Sequence, residues 1–87
     1  MLTVKVLGPG CVNCERLTAT TEEALQMLGT EATLEHVTDP AEFRKYRVMM
    51  TPGLVVNDKL VCAGRVPPTN EVMSLIANVL AEEASRS

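Results

Sequence analysis

Two cysteines three residues apart, Cys11 and Cys14, open a stretch of helical periodicity directly after Gly8-Pro9-Gly10. Thiols at that spacing on a helix start lie on one side, with Cα atoms about 5–6 Å apart, within reach of a disulfide. The unpaired N–H groups of a helix N-terminus and the helix dipole favour negative charge there, so the leading thiol ionises more readily than a free cysteine. Only the thiolate attacks a disulfide. Cys11, nearer the exposed tip, is the expected nucleophile, and Cys14, one turn in, the expected resolving thiol. The same spacing serves two other ends. Two thiolates can hold a soft ion such as Cu(I), and two buried cysteines can be small core residues with no chemistry.

The elements that must position this pair follow from pattern. Residues 2–7 read as a strand that stops at Gly8-Pro9-Gly10. From Cys11 to Leu28 the apolar positions Leu17, Thr21, Ala24, Leu25 and Leu28 recur on one helical face, with Gly29 as the stop. Residues 32–37 make a second strand. Asp39 caps a short helix with Pro40 in its first position and Glu42 three residues after the cap, the pattern of a capping box. That helix ends near Arg47. Gly53–Val56 and Lys59–Ala63 flank an Asn57-Asp58 turn and read as a hairpin. Thr69 is placed to cap a last helix carrying Val72, Leu75, Ile76, Val79 and Leu80 on one stripe, and the polar tail from Ala81 to Ser87 is expected to fray. The order β-α-β-α-β-β-α predicts an α/β domain, a mixed four-stranded sheet flanked by three helices. Both strand-helix-strand crossovers are expected to join parallel strands, and the hairpin to add an antiparallel edge.

Length and composition bound the function. With 87 residues, the chain is expected to form a single domain over residues 1–87. Hydrophobic residues make up 46%, enough for a core built from Leu, Val, Ile, Ala and Met, since Phe and Tyr occur once each and Trp is lacking. A net charge of −3 with no Lys/Arg run argues against nucleic acid or an anionic membrane as a partner. No apolar run approaches the roughly 20 residues of a membrane span, and the N-terminus lacks the features of a signal peptide. Three cysteines suit a reducing cytoplasm, where a close pair is catalytic or metal-binding more often than structural. A monomer is expected.

Other reactive side chains have plainer readings. Cys62, in the last strand, reads as a buried small hydrophobe, with a regulatory third thiol as the sharper alternative. His36, the one histidine, reads as structural or surface. Met49-Met50 reads as core packing, with a soft-metal site as the alternative. Arg65 reads as a solvated side chain, or as a contact for an acidic partner if it lies near the dithiol.

The element order, Cys11-x-x-Cys14 after the first strand and Thr51-Pro52 before the third together resemble the thioredoxin and glutaredoxin superfamily. More closely, Gly10-Cys11-Val12-Asn13-Cys14 and Thr51-Pro52-Gly53-Leu54-Val55-Val56 are similar to the small microbial thioredoxin-like redox-active disulfide proteins. The resemblance implies a thiol-disulfide oxidoreductase. Cys11 and Cys14 would be its catalytic residues, and a cis Thr51-Pro52 loop beside them would offer backbone groups to substrate. It implies no cofactor and no metal, a disulfide-containing protein as substrate, and a separate electron donor. Gly10 stands where common thioredoxins carry Trp, Val12-Asn13 stand for Gly-Pro, and the first strand carries Lys5 but no acid. Ala63-Gly64-Arg65-Val66 replaces the glutathione-binding pattern of glutaredoxins. The pair also resembles that of heavy-metal-associated domains, whose order is β-α-β-β-α-β. A thioredoxin-fold module that senses redox state without turnover is a third reading.

Overall fold

A computed structural model describes residues 2–10 and 12–86. The elements are β1 (Leu2–Leu7), α1 (Val12–Leu28), β2 (Ala32–Val37), α2 (Pro40–Lys45), β3 (Gly53–Val56), β4 (Lys59–Ala63) and α3 (Thr69–Arg86). They form one four-stranded mixed sheet in the order β2-β1-β3-β4 with three helices, the α/β arrangement expected. It is not the β-α-β-β-α-β order of the metal-carrier alternative.

One crossover departs from expectation. β1 and β2 are parallel, with Leu2 opposite Ala32 and Leu7 opposite Val37. β3, however, runs antiparallel to β1, pairing Leu7 with Gly53 and Val4 with Val56. A six-residue helix rises about 9 Å, less than half the roughly 20 Å length of a six-residue strand. α2 therefore does not carry the chain back along the sheet. β3 starts at the end where β2 finished, on the other side of β1, and β4 returns antiparallel to it with a register irregularity at Leu54/Val55.

Strand alternation sorts side chains onto two faces. Val4, Val6, Leu54, Val56 and Cys62 meet Leu17, Ala24 and Leu25 of α1 and Val72, Ile76 and Val79 of α3, all buried in one cluster. The opposite face carries Lys5, Leu7, Val55 and Gly53, which are cross-strand neighbours. The α2 segment covers it. Tyr46 accepts a hydrogen bond from Lys5 Nζ at 3.3 Å, and a side chain at Gly53 would press on Val48. The Tyr46 hydroxyl and its field hold the Lys5 ammonium above its ordinary pKa.

Helix ends explain the connections. α1 stops in a Schellman motif: Gly29, at φ 66°, donates to Gln26, and Thr30 donates to Leu25. α2 begins as expected, with Asp39 accepting from Ala41 N–H at 2.9 Å and Pro40 at the first position. The capping box is not closed: among the described residues no hydrogen bond runs from Asp39 N–H to the Glu42 carboxylate, one oxygen of which is buried without a partner. α2 also ends in a Schellman motif, Arg47 donating to Arg44 and Val48 to Phe43. Here the left-handed position (φ 58°) is held by Arg47, not glycine.

α3 differs from expectation at both ends. Pro68, not Thr69, occupies the cap position, its carbonyl accepting from Val72 N–H, and Thr69 is already helical. The tail does not fray before Arg86. Ala and Glu are strong helix formers, and the last turns are tied to the hairpin. Glu82 pairs with Lys59 at 2.6 Å, and both Glu83 oxygens accept from the Asn57 amide at 2.8 Å.

Candidate active site

The end of β1 and the start of α1 bring the site together. Leu7 is buried and Gly8 donates its N–H to the Val37 carbonyl at 3.0 Å, which closes the strand end against β2. Cys11 lies outside the described residues. Cys14 sits in the first turn of α1, fully buried, and its carbonyl accepts from the Thr18 hydroxyl at 2.9 Å.

Gly8 is the residue that makes room. A Cβ built on it would overlap the Cys14 sulfur and would lie 3.8 Å from Pro52 Cα. Gly8, Cys14 and Pro52 thus form one tightly packed corner where β1, α1 and β3 meet. The Thr51–Pro52 peptide bond is cis. Pro52 is fully buried and its carbonyl accepts from Gly64 N–H at 2.9 Å, while Thr51 is exposed.

Three large apolar side chains in the segments that lead to this corner are exposed. Val12 is 64% exposed, Met50 66% and Met49 94%. The reading of Met49-Met50 as core packing is therefore overturned. The Schellman turn ahead of them points the chain outward once the half-buried Val48 has packed beside Gly53, so the two methionines precede Pro52 on the surface. Met50 lies along Gly64, where an added Cβ would meet its Cβ, sulfur and terminal methyl.

The remaining residues fall as follows. Cys62 is 7% exposed inside the core cluster, and its thiol faces the Arg65 carbonyl at 4.0 Å. Burial pushes its pKa up, partly offset by the Arg65 charge. His36 is exposed on β2. Arg65 is exposed and paired with Glu71, whose hydrogen bond raises its pKa further. Among the described residues, no three His, Cys, Asp or Glu side chains converge as metal ligands would. No helix among them is long and apolar enough to cross a membrane.

Sequence reasoning missed two features. Gly8 looked like loop punctuation, and only the packing reveals that its missing side chain accommodates a sulfur six residues on. Arg47 looked like one charge among several on α2. A helix that ends without a nearby glycine was the available signal that another residue must take the left-handed position.

Comparison with known proteins agrees with this geometry. A thioredoxin-domain family profile matches residues 2–77. The thioredoxin of Methanocaldococcus jannaschii is 29% identical over 80 residues, covering 92% of each chain. That of Methanothermobacter thermautotrophicus is 29% identical over 77 residues, covering 88% of this chain and all of the other. Among solved structures, a malarial protein superposes with TM-score 0.67 at 16% identity over 90% of this chain and 96% of its own. Thioredoxin-2, described as a component of malaria parasite protein secretion machinery, superposes with TM-score 0.68 at 16% identity, covering 90% and 82%. At that identity the last two speak to fold alone. With the profile spanning nearly the whole sheet and its helices, the chain belongs to the thioredoxin domain family.

Proposed function

We propose that the chain is a thiol-disulfide oxidoreductase in which Cys11 attacks and Cys14 resolves, acting as one domain in a reducing cytoplasm. The observation that carries this reading is the corner of Gly8, Cys14 and Pro52, which buries one thiol at a helix N-terminus next to an exposed Thr51. The orphan N–H groups of the first turn of α1 favour a thiolate at the residue that precedes Val12.

The reaction balances as two exchanges. The Cys11 thiolate attacks one sulfur of a partner disulfide, forming a mixed disulfide and expelling the other partner sulfur as a thiolate. Cys14, as thiolate, then attacks the Cys11 sulfur and releases the second partner thiol. Two electrons pass to the partner, the two protein thiol protons end on its thiols, and a Cys11–Cys14 disulfide remains. An external thiol reductant restores it. In this reading Thr51 and Pro52 form the loop along which the extended substrate lies.

Insulin disulfide reduction driven by dithiothreitol tests the proposal. The parent protein should raise the rate well above dithiothreitol alone. Cys11→Ser should abolish the increase, and prereduced Cys14→Ser, mixed with insulin after dithiothreitol is removed, should accumulate a mixed disulfide with substrate. A parent rate equal to background would overturn the reading.

A further inference from the structure

The two Schellman motifs in this chain differ in one respect. At the end of α1 the left-handed position is glycine, and at the end of α2 it is Arg47. A side chain other than glycine is disfavoured at such a φ, so a glycine would hold the same turn with less strain. Strain of this kind, kept where relief is one substitution away, points to a use for the side chain.

The surroundings suggest that use. Arg47 is exposed and two residues before Met49, in the segment that carries the exposed Met49 and Met50 on to Pro52. Arg44 and Lys45 are exposed beside it, so three of the eight Lys and Arg residues fall within 44–47 in a chain of net charge −3. Two other arginines near this end are exposed: Arg65, which is already paired with Glu71, and Arg16 on α1, while Lys59 is paired with Glu82. Among the described residues neither Arg44 nor Arg47 has a carboxylate within 4 Å. Of the acids in this segment, Asp39 caps the far end of α2 and Glu42 has one oxygen buried.

We propose that Arg47, with Arg44 beside it, selects the partner: the edge docks a protein substrate whose disulfide lies in an acidic segment, with an apolar side chain of that segment on Met49 and Met50. The proposal rests on the oxidoreductase reading and names its substrate class. Charge at the rim of a docking surface acts mainly by steering association, so the preference is salt-dependent.

The test uses two peptides with the same disulfide loop and the same leucine beside it, one flanked by glutamates and one by lysines. With dithiothreitol as reductant at low salt, the parent protein should show kcat/KM about fivefold higher for the acidic peptide, and the ratio should approach one in 0.5 M salt. Arg47→Gly should raise Tm by roughly 4 °C while cutting that ratio to about twofold, a combination that a structural role for Arg47 would not produce. The double variant Arg44→Glu, Arg47→Glu should invert the ratio. Equal rates for both peptides in the parent would overturn this inference alone, as would an Arg47→Gly protein that keeps the full ratio or loses stability. A parent that reduces neither peptide would overturn the oxidoreductase reading and this one with it. An oligonucleotide that blocks the acidic peptide better than polyglutamate of equal charge would place nucleic acid at this edge and overturn the proposal.

Discussion

Gly8 and Cys14 are in such close contact that no side chain fits between them: a methyl group on Gly8 would occupy the position of the Cys14 sulfur. Gly8 has no left-handed φ, so the requirement is one of space and not of backbone freedom. Gly8→Ala should therefore behave as an overpacked core substitution, destabilising by about 1–3 kcal/mol in urea denaturation. The displaced thiol should also be alkylated faster in the native protein than in the parent.

The hairpin turn offers a second test. Asn57 and Asp58 both have positive φ (49° and 67°), the requirement of a two-residue hairpin turn. The Asn57 side chain also accepts from Thr3 N–H at 2.8 Å and donates to Glu83, joining β1, the turn and α3. Asn57→Ala should cost about 1–2 kcal/mol, since it loses both the turn preference and a cap for the Thr3 donor. Asn57→Gly restores the turn but not the bonds, so its loss in the same denaturation series should be smaller.

Cys62 makes a pH-dependent contribution. Its folded-state pKa is raised by burial, while in the unfolded chain it titrates near the ordinary thiol value of about 8.5. Its contribution is complete below that pH. It is lost as the pH climbs from there through the folded value, because the unfolded chain releases the proton first. The stability of the parent should fall relative to Cys62→Ala across that window, read from denaturation midpoints at pH 7 to 10. Parallel curves for the two proteins would show that burial of this thiol has no such effect.

Leu17 is the fully buried residue of α1 that continues from Cys14 into the core. Leu17→Ala should cost about 2–5 kcal/mol, measured by thermal or urea unfolding. The loss removes support from the helix whose first turn carries Cys14.

Much of this fold was legible because its elements are locally consistent. The alternation in residues 2–7, the stripe through Leu17, Ala24 and Leu25, and the Asn57-Asp58 turn each have one good structural solution, and the observed strands keep those bounds. The direction of β3 was hidden because it depends on how far α2 can carry the chain, which helix length sets and side-chain pattern does not. The persistence of α3 to Arg86 was hidden too. Its last turns look solvated when read alone, and their partners Asn57 and Lys59 lie more than twenty residues away. At the site, cysteine spacing was readable from sequence. The burial of Cys14 under Gly8 and the exposure of Met49 and Met50 are properties of packing between segments.

The tie between Asn57, Lys59 and the last turns of α3 also settles an orientation. It sits by Thr3, at the end of the sheet where β1 begins, whereas Cys14 lies by Gly8, where β1 ends. A linker joined beyond α3 would leave the molecule on the side away from Cys14. Attached to an electrode or a bead by that route, the protein should present the corner of Gly8, Cys14 and Pro52 to solution.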